Sequence, residues 1–421
     1  MNMFKTAILS LISTIFKLLS ALIINKVISI FVGPAGIALI GQFQNLIQMV
    51  NTLSQGGMLS GVTKYTAEYN KHSPENIEKL WSTAFKIIVL LSIILGFLLI
   101  VLSKALSSYL FGTQDYYIFI RFLGCSTIFT SLNGFVLAVI NGLKKIKLYV
   151  LINIYQSLIS LMLSTLLVML YGLKGAFLAL ILNQSIIFVT LLFIFNKNGG
   201  REKVNKFIGR ASTEELKKLF SFSLMAITSA IVGPVSLMLI RNFIQENINL
   251  NASGYWQSMW YISSMYLLVI TTTLSIYYLP RLSELVSTDE LKVELIKGIK
   301  IIVPLVATAS FLVYLLKDFI ISILFTPEFS NMRDLFRWQV CGDVLKITAW
   351  LFSYVLIAKA QSKAFIILEV INFSLFTVLS IVMIHTYGLI GGSYGYFFSN
   401  LIYLILVSIV VKVRFFKNYK S

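Results

Sequence analysis

A chain of 421 residues with 57% hydrophobic and only 12% charged side chains is too apolar for an ordinary cytosolic enzyme, because soluble domains carry about a quarter charged residues. Twelve bilayer spans of about 20 residues would occupy roughly 240 positions and leave no room for a sizeable soluble domain. The formal net charge of +18 would suit nucleic acid only if the cations gathered on one soluble face. They lie instead in short clusters between long uncharged runs, the pattern that sets membrane topology, so no nucleic-acid partner is expected.

Taken in chain order, the uncharged Leu/Ile/Phe-rich windows predict helices near 8–30, 38–60, 83–103, 118–140, 148–170, 175–195, 219–241, 256–279, 299–317, 334–357, 364–385 and 388–411. They lack the short alternating pattern of an outer-membrane barrel. Lys5 and the first apolar stretch have no small-x-small cleavage signature after them and read as a retained first span. The expected fold is all-α, a polytopic membrane protein of twelve transmembrane helices in two parallel six-helix lobes around a central cavity. A first lobe at 1–196 and a second at 219–421 are joined by a basic cytoplasmic linker at 197–218. Within that linker Ser212 and Glu215 have the spacing of a capping box at a helix start. A weak repeat, Gly36 to Tyr69 against Gly254 to Leu285, is offset by 218 residues, as expected for parallel halves.

Alternate connections receive very unequal shares of the 35 Lys and Arg residues. One side holds 24 of them, the other holds five including Arg241, and six lie inside spans. The positive-inside rule then places both termini in the cytoplasm of a multi-pass inner-membrane protein.

Ionisable groups inside a span need a partner, a snorkelling route or a water-filled cavity. In span one, Lys17 lies near mid-membrane, and Lys26, nine residues later, falls about 180° round the helix. Lys17 is the cavity candidate, and Lys26 either joins it or snorkels. Span two carries Gln44, Gln48, Asn51 and Gln55 at three- and four-residue spacing. That stripe suits sugar hydroxyls because amides both donate and accept, and it suits helix packing equally well. Span ten holds Arg337, Asp343 and Lys346. The three-residue spacing of Asp343 and Lys346 permits an ion pair, either a bundle staple or a charge relay or gating lock. Arg337 either snorkels or guides an anion. Glu369 near the inward end of span eleven sits at the inner interface, pairs with a lysine or couples transport to ions. Cys125 and Cys341 are isolated, and His72 and His385 lie far apart. No disulfide, metal site, cofactor or catalytic constellation is indicated, and an enzyme is not expected.

Five segments together resemble one family: Phe31-Val-Gly-Pro-Ala-Gly36, Gly61-Val-Thr-Lys-Tyr65, Tyr278-Leu-Pro-Arg-Leu-Ser283, Met332-Arg-Asp-Leu-Phe-Arg-Trp-Gln339 and Gly342-Asp-Val-Leu-Lys346. The chain is similar along its length to the Wzx polysaccharide flippases of the multidrug/oligosaccharidyl-lipid/polysaccharide exporter superfamily. The resemblance implies inner-membrane flipping of an undecaprenyl-diphosphate-linked oligosaccharide through a cationic cavity. It ranks the repeat unit of enterobacterial common antigen ahead of a strain-specific O-antigen unit. Membrane lipids and a periplasmic polymerisation machinery are the further partners implied. A drug or cation exporter of the same superfamily and a membrane glycosyltransferase or ligase are the alternatives.

Overall fold

Glycine and proline decide where this almost wholly helical chain interrupts itself. The computed structural model describes residues 3–195, 207, 209–285 and 287–416. Its helices are α1 Met3–Phe31, α2 Gly33–Ser54, α3 Leu59–His72, α4 Asn76–Val101, α5 Ser103–Phe111, α6 Tyr117–Gly142, α7 Ile146–Phe195, α8 Thr213–Asn247, α9 Leu250–Thr273, α10 Leu279–Glu284, α11 Thr288–Leu315, α12 Lys317–Leu324, α13 Leu335–Ala358, α14 Ser362–Tyr387 and α15 Ile390–Val411. No strand occurs among the described residues.

Every predicted span falls on a helix, with shifted ends. The second stops at Ser54 because Gly56 and Gly57 turn to φ +58° and +62°, a region that favours glycine. The eighth starts earlier, at Leu250, where the Asn249 side chain accepts a hydrogen bond from the Ala252 N–H at 2.8 Å. It leaves through a π-helical turn, Leu274–Tyr278, just before Pro280. The ninth is extended back to Thr288, capped by Ser287. The fifth and sixth run end to end in the 50-residue α7, broken at Gly172. Nine helices among the described residues are long and apolar enough to cross a membrane. α2 and α9 fall outside that set because of their amides and hydroxyls, and α7 carries two expected spans.

The chain forms two compact units: Met1–Val32 with Leu39–Ile231, and Gly33–Ala38 with Val232–Ser421. Both repeat the same order of elements, including a short helix, α5 or α12, after the third long one. In the first unit α1 packs on α7, and α4 crosses α6 where Gly96 and Gly124 meet. A Cβ on either glycine would come within 2.6 Å of the other's carbonyl oxygen. Such close approach supplies the van der Waals contact that joins helices in lipid. In the second unit α13, α14 and α15 pack together, and Trp256, Phe376, Ile384 and Tyr396 form part of its core.

The entry to α8 is clasped within the first unit. Phe207 is buried in a ring cluster, 6.0 Å from Phe85 and 5.6 Å from Trp81 between centroids. The predicted capping box does not form. The Ser212 N–H donates to Thr83 Oγ1 at 2.8 Å, and the buried Glu215 accepts from the Tyr69 hydroxyl at 2.9 Å. Lys218 completes the cluster, 2.8 Å from Glu214 and 3.1 Å from Glu215. A tertiary donor thus displaces the local cap. Lys197, Arg201, Lys203 and Lys206 of the expected linker lie outside the described residues.

Candidate functional site

In the second unit, four helices bring an acidic group and its donors together. Asp343 on α13 is fully buried. Its Oδ2 accepts from Ser263 Oγ at 2.7 Å and from the Tyr266 hydroxyl at 2.6 Å, and its Oδ1 accepts from the Tyr396 hydroxyl at 2.8 Å. Ser263 and Tyr266 share a face of α9 because they are three residues apart, and Tyr396 comes from α15. The Tyr266 hydroxyl also lies 3.0 Å from Ser310 Oγ on α11. Buried polar groups stay buried only when hydrogen-bonded, and here the carboxyl ties three helices directly and the fourth through Tyr266.

Lys346 follows one turn later, yet it makes no ion pair with Asp343 within 4.0 Å among the described residues. Its Nζ lies 5.4 Å from the ring centroid of Trp260, 5.1 Å from that of Trp350 and 5.9 Å from that of Tyr396. The hydroxyls that occupy the Asp343 oxygens leave the ammonium to the rings. Glu369 on α14 is also buried. It accepts from the Tyr403 hydroxyl at 3.4 Å, and that hydroxyl is 2.6 Å from Ser353 Oγ.

Arg241, which the charge alternation assigns to an outer connection, is instead a buried residue of α8. Its guanidinium donates to Gln257 Oε1 and stands 5.9 Å from the Trp256 ring centroid. The helix runs past the predicted end of the seventh span to Asn247 and carries Arg241 inside. Arg337 is exposed beside Trp338, 5.8 Å from its ring centroid.

In the first unit, Lys17 is exposed on α1 and Lys26 is half-buried. The amide stripe of α2 divides. Gln48 is exposed, Gln44 is half-buried, and Asn51 Oδ1 accepts from Thr130 Oγ1 on α6 at 3.0 Å. Gln55 packs on Gly134, where a Cβ would come within 2.7 Å of its amide nitrogen. Gln48 is the exposed member of the stripe, and Asn51 and Gln55 pack against α6.

Tyr266, Tyr396, Tyr403, Trp260 and Trp350 are absent from the sequence reading of the site. Their signal is weak but present: Lys346 and Trp350 are four residues apart, as are Trp256 and Trp260, so each pair shares a face. No group of three or more His, Cys, Asp or Glu able to hold a metal ion occurs among the described residues.

These features define a multi-pass helical membrane protein with the fold of the MOP superfamily. An inward-facing multidrug resistance MATE family transporter of that superfamily matches with a TM-score of 0.76 at 16% identity, covering 96% of this chain and 94% of its own. The lipid II flippase MurJ, in an inward closed conformation, matches with a TM-score of 0.70 at 15% identity, over 97% and 87% of the two chains. The chain belongs to the polysaccharide biosynthesis protein family, whose profile matches residues 3–286. It is 31% identical over 410 residues to the lipid III flippase of Escherichia coli (strain K12), covering 96% of this chain and 97% of that protein. The family resemblance drawn from the five sequence segments is thereby borne out.

Proposed function

We propose that the protein flips an undecaprenyl-diphosphate-linked oligosaccharide, the lipid III repeat unit of enterobacterial common antigen, from the cytoplasmic to the periplasmic leaflet of a bacterial inner membrane. The observation that carries this reading is the near-full-length likeness to the Escherichia coli lipid III flippase. In the first unit, the exposed Lys17 and Gln48 and the half-buried Lys26 and Gln44 offer cations for the diphosphate and amides for sugar hydroxyls. Arg337 adds an exposed cation in the second unit. Lobes at 1–196 and 219–421 alternate access by rocking, with both termini cytoplasmic and the lipid tail left in the bilayer. The Asp343 and Glu369 clusters hold the second lobe rigid during that motion. A periplasmic polymerisation machinery takes the product.

The test is sided detection of defined lipid-linked sugars in vesicles containing only this protein, with organic cations offered in parallel. Net transfer of the lipid-linked sugar is the expected result. Transfer of the cations alone, or a new glycosidic bond among the products, overturns the reading. Lys17→Ala is expected to slow transfer more than Lys17→Arg, and equal wild-type rates in both would remove Lys17 from the site.

A further inference from the structure

Lys346 is a membrane-span cation that stands among rings, with the carboxyls of Asp343 and Glu369 acting on it only at longer range. Both oxygens of Asp343 are occupied by Ser263, Tyr266 and Tyr396. No carboxylate oxygen lies within 4.0 Å of the Lys346 ammonium among the described residues. Trp260, Trp350 and Tyr396 approach it from α9, α13 and α15 at 5.1 to 5.9 Å. Aromatic faces attract a cation through their quadrupoles but carry no net negative charge of their own. The Lys346 residue as a whole is half-buried where Asp343 is sealed.

The internal repeat shows that this charge is particular to the second unit. Landmarks 216 positions apart, such as Gly172 and Gly388, match in backbone conformation. That offset sets Thr127 against Asp343, Thr130 against Lys346 and Gly134 against Trp350. The first unit therefore has neither the lysine nor the ring beside it. A bundle staple needed for the fold itself would be expected in both halves.

We infer that Lys346 is a contact for the substrate's diphosphate, and that the Trp260, Trp350 and Tyr396 rings hold its ammonium while the site is empty. This rests on the proposed function and names a residue for it. An arriving phosphate offers charge-assisted hydrogen bonds, which are stronger than ring contacts, and draws the ammonium away from the indoles. The rings keep the lysine poised without a carboxylate that the anion would have to displace.

The test uses the full chain in lipid nanodiscs with fluorinated tryptophan, with undecaprenyl diphosphate as the probe and undecaprenol as the neutral control. The Trp260 and Trp350 resonances are expected to shift with the diphosphate in the unsubstituted protein and to stay still with undecaprenol. In Lys346→Gln the shifts should vanish and flipping in vesicles should fall about tenfold or more, with Lys346→Arg recovering part of both. Unmoved resonances in the unsubstituted protein overturn the inference, whether or not the variants fold. So does a folded Lys346→Gln protein that flips at the wild-type rate. Shifts that depend on Lys346 in a protein that flips no lipid-linked sugar support the contact and overturn the proposed function alone.

Discussion

Lys144 and Ala360, 216 positions apart, are the two residues other than glycine that take positive φ among the described residues, at 56° and 52°. Each ends its helix in the same way. The Lys145 N–H donates to the Ile140 carbonyl at 3.2 Å, and the Gln361 N–H donates to the Leu356 carbonyl at 2.8 Å, the six-to-one bond of a Schellman motif. The repeat is thus encoded in backbone geometry where the side chains have diverged.

A left-handed residue with a Cβ is strained by about 1 kcal/mol, part of which glycine returns as disorder in the unfolded chain. Ala360→Gly should therefore raise the thermal midpoint of the detergent-solubilised protein slightly, by about 1 to 2 °C. Ala360→Val should lower it. Thermal scanning of both variants reads the difference, and a destabilised glycine variant would refute the strain.

Gly175 and Gly391 follow the Gly172 and Gly388 breaks at equal distance. A Cβ at Gly175 would lie 1.8 Å from the Leu167 carbonyl oxygen, and one at Gly391 would lie 2.1 Å from that of Met383. Neither backbone can yield cheaply. Gly175→Ala and Gly391→Ala should each cost about 3 kcal/mol or more and reduce folded yield alike. Gly388→Ala meets no neighbouring atom within 4 Å, so its smaller effect, from φ +67° alone, is the control.

Removing Asp343 leaves three hydroxyl groups without their acceptor. Asp343→Ala should destabilise by about 3 to 5 kcal/mol, Asp343→Asn by less, and Tyr396→Phe by about 1 to 3 kcal/mol. Unfolding midpoints give the ranking. Near-equal values for alanine and asparagine would deny the hydrogen bonds their role.

The clasp at the start of α8 carries a pH signature. Lys218 holds the Glu214 carboxyl below its ordinary 4.5. Glu214 and the Tyr69 hydroxyl hold the Lys218 ammonium above its ordinary 10.5, and burial pushes the Tyr69 phenol up. A depressed carboxylate contributes above its unfolded pKa and is lost as pH falls through the folded value. A raised lysine contributes below its unfolded pKa and is lost as pH rises through the folded one. The clasp is therefore complete between pH 4.5 and 10.0, the upper limit set by the Tyr69 phenol. Hydrogen exchange at 212–220 should be constant from pH 6 to pH 9, after correction for intrinsic rates, and faster below about pH 4.5. Tyr69→Phe should weaken protection by about 1 to 3 kcal/mol at neutral pH, and unchanged protection would show that the phenol does not hold the helix.

The five resembling segments and the apolar windows made the fold class and family legible, because a span must satisfy its backbone locally and so leaves a long uncharged signature. Asp343, Lys346 and Glu369 were legible as exceptions to that signature. Their partners were not. Tyr266, Tyr396 and Trp260 are ordinary members of apolar helices in sequence, and only packing brings them to the ionisable groups. Arg241 misled the topology count because its helix continues beyond the apolar window, and the cap expected from Ser212 and Glu215 failed because Thr83 and Tyr69 competed for their groups from 129 and 146 residues away.

By itself the sequence determined that this chain is a helical membrane protein of a polysaccharide biosynthesis family, with its cations clustered between long uncharged runs. The class follows from composition and from the long uncharged runs, and the family from the five resembling segments. The tertiary structure alone decided that Asp343 is bound by three hydroxyls and that Lys346 stands among rings and not beside its neighbouring carboxylate. Three-residue spacing makes a contact possible, but donors on other helices determine whether it forms.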